Sequence, residues 1–435
     1  MPPPIKHKVV RYLVITFILY LKKNYYKVLI VEKVDVAIIG GGPGGATLAN
    51  ILASRGVSTV LIERQKDFSK EFRGEGLMPS GKEVLEQIGF NLNDVDHRKI
   101  EEMNLFYKGE LEANPEIEFL KKGEFRWVSQ PQLLEKLIEK ASGFDNFIFY
   151  RGYKAQDLIY NEDRVDGVVI TNGNEEASIK AKVVIGFDGR TSMVRRKLNF
   201  EVKEYKLQPD VLWFKIPYPE NFLPGSQAFF SLFPKSFLVA VPVYDEKLQV
   251  GWIIPAGSYG ELRKQGQEKW IQYIKDKSPQ GFADHLQKCL DDKSISDPFI
   301  LKMTLDRVKK WHKKGALLLG DAAHTMNAVG GQGLNIALRD AVVCANHIVP
   351  LMDGNPSNAS LDEAFDAIER ERIDEVRQVQ EIQSRPPKFI TLSSFMVQLI
   401  VPILRLFFRF SFVDKLRKEL IERMSRGFSK VRLKV

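Results

Sequence analysis

"VDVAIIGGGPGGATLANILASRGVSTVLIERQ", Val34 to Gln65, carries the order strand, glycine turn, helix, strand. Val34 to Ile39 is a short run rich in β-branched residues, as expected of a strand buried on both faces. Gly40, Gly42 and Gly45 then supply G-x-G-x-x-G. In a dinucleotide fold these glycines permit a tight turn, let backbone N–H groups approach a pyrophosphate, and bring the helix close to the sheet. The phosphate charge is favoured at the helix N-terminus. The helix runs to about Arg55 and stops at Gly56, a residue type suited to the C-terminal cap. A second strand, Thr59 to Ile62, ends at Glu63, 18 residues after Gly45. An acid there can accept hydrogen bonds from an adenosine ribose.

Two distant segments repeat the strand-then-acid pattern. "VVIGFDGRTSMVRRKLN", Val183 to Asn199, is an apolar strand ending in Asp188-Gly189, with Ser192 and Arg195 entering a helix. "GALLLGDAAHTMNAVGGQGLNIALRDA", Gly315 to Ala341, ends its strand at Asp321 and bends through Gly330-Gly331-Gln332-Gly333. A helix is predicted from about Leu334 to Val349, ended by Pro350. The backbone N–H groups of Gly333, Leu334 and Asn335 would lie at its start, where negative charge on a ligand is stabilised without reorganisation. His324 has no second metal ligand at suitable spacing and reads as a packing or hydrogen-bonding residue. Ser80 with Glu83 reads as a capping box for the helix after Arg73.

Together the three segments resemble, in order and spacing, the signatures of the FAD-dependent aromatic hydroxylases related to para-hydroxybenzoate hydroxylase, over roughly Val34 to Leu351. The resemblance implies an α/β FAD domain with a mainly parallel sheet, an inserted antiparallel-sheet substrate domain, and a helical C-terminal tail. It implies FAD as cofactor and NAD(P)H as electron donor without a second nucleotide domain, and no second G-x-G-x-x-G follows a strand here. By the same resemblance Gly40, Gly42, Pro43, Gly45, Glu63 and Arg64 serve the ADP half, and Asp321 the ribityl chain. Asp188 serves both flavin and NAD(P)H, and Gly331, Gly333, Leu334 and Asn335 face the flavin. Arg73 and Gln130 stand where the family has FAD contacts, though a loop salt bridge and a helix cap explain them equally well. One departure is Asn327-Ala328, where the family has proline beside the oxygen-reacting pocket; these residues keep chain length but lose the fixed φ. The implied activity is hydroxylation or epoxidation of a lipophilic small molecule with O2. The alternatives are a reductase of the geranylgeranyl-reductase type and a flavin-binding protein without turnover. "GWIIP", Gly251 to Pro255, matches half of a halogenase signature, but Val250 occupies its first tryptophan position.

The net charge of +9 is concentrated at the ends. Residues 1–34 carry +6 and residues 388–435 carry +8, so the body between carries −5. A basic-groove nucleic-acid binder carries its charge on the folded body, so that class is set aside. Cys289 and Cys344 are the only cysteines, which excludes a disulfide framework and a cysteine zinc site. Tyr12 to Leu21 is an uncharged run of ten behind basic residues, too short for the roughly 20 that span a bilayer. No A-x-A cleavage site follows it, and residues 1–33 read as an N-terminal extension.

The FAD domain is expected in residues 34–98, 128–200 and 302–352, and the substrate domain in 99–127 and 201–301. Strand-like runs between Ser226 and Gly257, with Met103 to Tyr107, predict its sheet. Phe229, Phe230, Phe233 and Trp252 point to an apolar, aromatic-lined pocket, or, each taken alone, to the core of that sheet. Residues 353–435 form a helical region: a charge-rich helix from Ser360 to about Ser384 with a capping-box start, a break at Pro386-Pro387, and a basic apolar tail uncharged from Phe389 to Leu404. That tail reads either as a separable interfacial element touching an anionic membrane or as a helix packed on the body. A cytoplasmic location, with peripheral contact at the membrane's inner face, follows from the first of these.

Overall fold

The five central strands lie parallel, in the order Ala316–Leu318, Glu176–Gly186, Val28–Ile39, Thr59–Glu63 and Phe147–Arg151. The computed structural model describes residues 28–69, 75–205, 209–233, 236–384 and 411–435. Where these strands run through the core their residues are apolar and buried, as in Val36 to Ile39, Val60 to Ile62 and Val183 to Ile185. Helix Pro43–Ser54 buries Gly44 through Ala53 without a break, and the long helix Gln332–Met352 packs against it within one continuous core. The central strand starts at Val28, six residues before the expected Val34, and pairs there with Glu176. Val28 to Lys33 thus already belong to the sheet. Antiparallel strands Lys154–Asn161 and Arg164–Thr171 extend this sheet beside Glu176–Gly186.

A second sheet has seven strands in the order Phe299–Lys302, Asp210–Pro217, Lys247–Ile254, Ser236–Pro242, Gln227–Phe233, Glu102–Tyr107 and Glu110–Ala113. Among the described strands its pairs are antiparallel except Gln227–Phe233 with Glu102–Tyr107, which run parallel. The exception arises because Glu102–Tyr107 comes from a distant insertion rather than from a hairpin. One face carries Leu212, Phe214, Phe229, Leu238, Val250 and Trp252 against helices Gln267–Lys275 and Gln280–Asp291. The alternate residues Val211, Trp213, Phe230, Phe237 and Ile253 face the first sheet, as the two-residue strand period dictates.

Several element boundaries differ from the sequence reading. The helix expected to be capped by Ser80 and Glu83 begins at Pro79, with Met78 as N-cap and no side-chain cap bond. Proline's fixed φ starts the helix there and leaves Ser80 inside its first turn. The helix ending at Ser384 begins at Asn358, and the Ser357 hydroxyl, not Ser360, accepts the Ser360 N–H at 3.1 Å. Pro350 lies inside the last turn of Gln332–Met352 instead of ending it.

The C-terminal residues are not separable from the body. Helix Ser411–Arg426 is followed by a segment whose Val431 joins the main core at 4% exposure. Arg339 donates to the Ser429 carbonyl at 2.5 Å, and Asn346 exchanges hydrogen bonds of 2.8 Å with the Arg432 carbonyl and the Lys434 N–H. The detachable tail is thus corrected for residues 424–435, whose backbone groups find their partners in the first domain. Arg73, the run from Tyr12 to Leu21, the break at Pro386-Pro387 and the run from Phe389 to Leu404 lie outside the described residues. No helix of the described residues is long and apolar enough to cross a membrane.

Candidate cofactor and substrate site

Four of the five parallel strands, Val28–Ile39, Thr59–Glu63, Glu176–Gly186 and Ala316–Leu318, deliver loops at their carboxyl ends that converge on one cavity of about 870 Å³ between the two sheets. In open α/β sheets ligands bind at this end. After Ile39 the chain turns at Gly40 (φ +108°), where a Cβ would lie 2.3 Å from the Phe187 carbonyl oxygen. A Cβ on Gly45 would lie 1.9 Å from the Gly40 carbonyl oxygen, so neither position admits a side chain. Gly42, Pro43 and Gly45 line the cavity, and Gly40 lies beneath the turn.

Glu63 also lies behind the lining. Its two carboxylate oxygens accept the Gly41 and Gln65 N–H groups at 2.8 and 2.7 Å, so it braces the glycine turn. Arg64 and Gln130 line the cavity. Gln130 opens its helix after Ser129, with no side-chain cap bond, which removes the cap explanation for it.

Asp188 lines the cavity and caps the following short helix through Oδ2, which accepts the Met193 N–H at 2.6 Å. Its Oδ1 is buried without a hydrogen-bond partner. Burial raises the pKa of this carboxyl, and the Ser192 and amide hydrogen bonds oppose the rise. Asp321 lines the cavity opposite and pairs with Arg190 Nε at 3.3 Å.

Gly330 (φ +76°) and Gly331 (φ +59°) make the left-handed turn that leads Gly333 and Leu334 onto the cavity. Gln332 closes this turn by donating to the Gly330 and Met424 carbonyls at 3.0 and 3.1 Å. Asn335 does not reach the cavity. Its side chain accepts the Met78 N–H and donates to the Gly76 and Gly331 carbonyls, at 2.9, 3.0 and 2.8 Å, bracketing the turn from below. His324 donates or accepts at 2.8 Å with Asp340 and packs on Trp311, the structural role its isolation in the sequence implied.

The opposite wall is apolar. Of the four aromatics singled out in the sequence, Phe230 lines the cavity, whereas Phe229, Phe233 and Trp252 point into the helical layer. Phe119, Phe125, Trp127, Trp213 and Phe237 complete the wall and were missed. Trp213 stands out of phase with Phe214, and strict alternation along Val211-Leu212-Trp213-Phe214 was the available signal. Trp127 Nε1 donates to buried Glu75 at 2.9 Å, and burial, then Glu75, pushes the neighbouring Tyr244 hydroxyl up to about 12. Arg190 and Thr191, beside Asp188, were missed as well; only their adjacency to the Asp-Gly pair marked them. Among the described residues no group of His, Cys, Asp or Glu could hold a metal ion.

A glycine-turn dinucleotide fold whose strand-end acids meet an aromatic wall defines a nucleotide-dependent flavoprotein. The family model described as an FAD binding domain matches residues 33–381, and the chain belongs to that family. It is 30% identical over 366 residues to 6-methylpretetramide 4-monooxygenase of Streptomyces rimosus, covering 81% of this chain and 84% of that one. With a 3-(3-hydroxy-phenyl)propionate/3-hydroxycinnamic acid hydroxylase of Mycolicibacterium smegmatis it shares 25% identity over 78% of its length, and it spans only 58% of that longer protein. The fold is that of p-nitrophenol 4-monooxygenase from Pseudomonas putida, with a TM-score of 0.75 at 19% identity over 92% of this chain and all of the other. The protein is an FAD-dependent oxidoreductase of the monooxygenase class, with NAD(P)H as the family's electron donor.

Proposed function

We propose that FAD lies along the cavity floor and that a lipophilic aromatic, polyketide-like or isoprenoid substrate sits between its ring and the aromatic wall, to be hydroxylated or epoxidised. The observation that carries this reading is the continuity of one cavity from Gly42 to Trp213 and Phe230. The groups present fit the cofactor. The glycine-rich turn at Gly40 to Gly45 accommodates a pyrophosphate, and the unpartnered Asp188 Oδ1 offers an acceptor to a hydroxyl. Residues 34–98, 128–200 and 302–352 would hold the cofactor, and 99–127 with 201–301 the substrate. Membership of a family that includes a polyketide-type monooxygenase supports the substrate class.

Bound FAD, once reduced by NAD(P)H, would supply the oxygen-transfer chemistry, and the chain supplies binding, orientation and exclusion of water. Gly42, Pro43, Gly45 and Arg64 hold the ADP half, with Gly40 and Glu63 setting the shape of their turn. Asp321 accepts from the ribityl chain, and Arg190 fixes the direction of its carboxylate. The N-terminus of Gln332–Met352, presented by Gly331, Gly333 and Leu334, stabilises negative charge on the ring, while Asn335 keeps that turn in register. Trp213, Phe230 and Phe237 orient an apolar substrate and keep water from the reacting carbon.

The protein is further read as cytoplasmic, with peripheral contact to an anionic membrane through helix Ser411–Arg426. Support comes from Leu416 and Leu420, 58% and 46% exposed and one turn apart, beside exposed Lys415 and Lys418.

Purified protein should be yellow with about one FAD per chain, and Asp321→Ala should raise the FAD dissociation constant about tenfold or more. NAD(P)H oxidation stimulated by candidate substrates, with product masses increased by one oxygen, tests the reaction. Gentle purification that yields bound NAD and no flavin would sink the reading.

A further inference from the structure

Asn327 and Ala328 line the cavity beside the glycine turn, together with Gln383 from the last turn of helix Asn358–Ser384. Asn327 and Gln383 are 3% and 2% exposed. Three hydrogen bonds join them. The Asn327 backbone N–H donates to Gln383 Oε1 at 3.1 Å, Asn327 Nδ2 to the Gln383 carbonyl at 3.0 Å, and Gln383 Nε2 to the Asn327 carbonyl at 3.2 Å. The donors and acceptors are mutually consistent in one orientation of the Gln383 amide only; reversing it would set N–H against N–H and oxygen against oxygen.

One turn earlier, Gln380 repeats the device. Its Nε2 donates to the Asp306 and Thr325 carbonyls at 2.7 and 3.1 Å, and its Oε1 accepts from Arg307 at 3.0 Å. The two glutamines are three residues apart and hold Thr325 to Asn327, Gln383 from the cavity wall and Gln380 from behind it. Ala328 has φ −69°, inside the range that a proline ring enforces.

We propose that Gln383 is a positioning residue: its amide pins the Asn327-Ala328 backbone, by hydrogen bonds, in the conformation that a proline at position 328 would impose by ring closure. The two solutions differ at residue 327, because the Asn327 N–H that Gln383 engages would be absent from a proline. The wall is thereby fixed by a helix that lies outside both sheets. This inference rests on the reading that the flavin lies at the Gly330 turn.

The test compares FAD-loaded wild type, Gln383→Leu, and Gln383→Leu with Ala328→Pro. Amide hydrogen exchange over residues 324–331 should quicken about tenfold in Gln383→Leu, as expected for losing hydrogen bonds of ordinary net worth. FAD content should stay near one per chain while the visible circular dichroism of the flavin changes. Adding Ala328→Pro should restore the dichroism, because the ring supplies the lost restriction. Unchanged exchange and dichroism in Gln383→Leu would overturn the proposal, and so would a changed spectrum that proline fails to restore. If Gln383→Leu does not fold, Gln383→Asn, one methylene shorter, serves the same comparison. A wild-type protein that binds no FAD would defeat the flavin-site reading instead, and exchange in the cofactor-free proteins would still report on the bracket.

Discussion

Asp340 shows how a single side chain links the site to the rest of the molecule. It is fully buried, and its carboxylate takes the Gly320 N–H at 3.0 Å, His324 at 2.8 Å and Arg372 Nε at 2.7 Å. Gly320 adjoins Asp321, so this carboxylate sets the backbone that presents Asp321 to the cavity. Burial alone would push Asp340 up, but His324 and then Arg372 overcome it and hold the group at about 2. The folded value therefore lies below the ordinary carboxylate value near 3.8. Its contribution is present above about pH 4 and lost as pH falls toward 2, amounting to about 2 kcal/mol. Thermal melts of wild type from pH 5 to pH 2 should show this loss. Asp340→Asn should start about 3–5 kcal/mol less stable, because Arg372 loses a buried partner, and its acid limb should be flatter. Equal slopes would show that Asp340 does not govern acid stability.

At the scale of elements, the seven-stranded sheet separates packing from the cavity by residue parity. Phe229 and Phe230 are adjacent yet face opposite layers. Phe229→Ala should cost about 3–5 kcal/mol in urea unfolding, the usual range for emptying a core aromatic site. Phe230→Ala should cost much less and enlarge the cavity, so a similar cost for both would contradict the assignment of faces. The strand, turn, helix and acid of Val34 to Glu63 were legible in the sequence because every signal there is local: β-branched run, glycine spacing, Gly56 stop. The orientation of Phe229 and Trp252 was not, since an aromatic-rich strand carries no mark of which face meets helices and which meets a ligand. The helix Asn358–Ser384 misled in another way. The sequence marks it only as a charge-rich helix, yet its Arg372, Glu375, Gln380 and Gln383 are all buried on one face. Apart from the Arg372–Glu375 pair, their partners are backbone groups and side chains far away in sequence, which no periodicity of polar residues reveals.

Over the whole molecule, the ends behave differently from a charge-based reading. The C-terminal run is basic, and its last residues nevertheless close the main core through Val431 and the contacts of Arg339, Asn346 and Glu375 with the segment's backbone. Removing residues 427–435 should therefore destabilise the protein by about 3 kcal/mol or more in urea melts. Leu416→Glu with Leu420→Glu should instead leave stability within about 0.5 kcal/mol, as surface changes do, and abolish cosedimentation with anionic vesicles. Wild-type protein that fails to cosediment would remove the membrane contact. The order of the strands has a further consequence during synthesis on the ribosome. Val28–Ile39 emerges early but waits for Glu176–Gly186, which waits for Ala316–Leu318, and the core they enclose is completed only when Val431 arrives. Until those partners are made the nascent sheet keeps one parallel edge open, so the protein's yield in the cell should depend on chaperones that shield strand edges and on the pace of elongation.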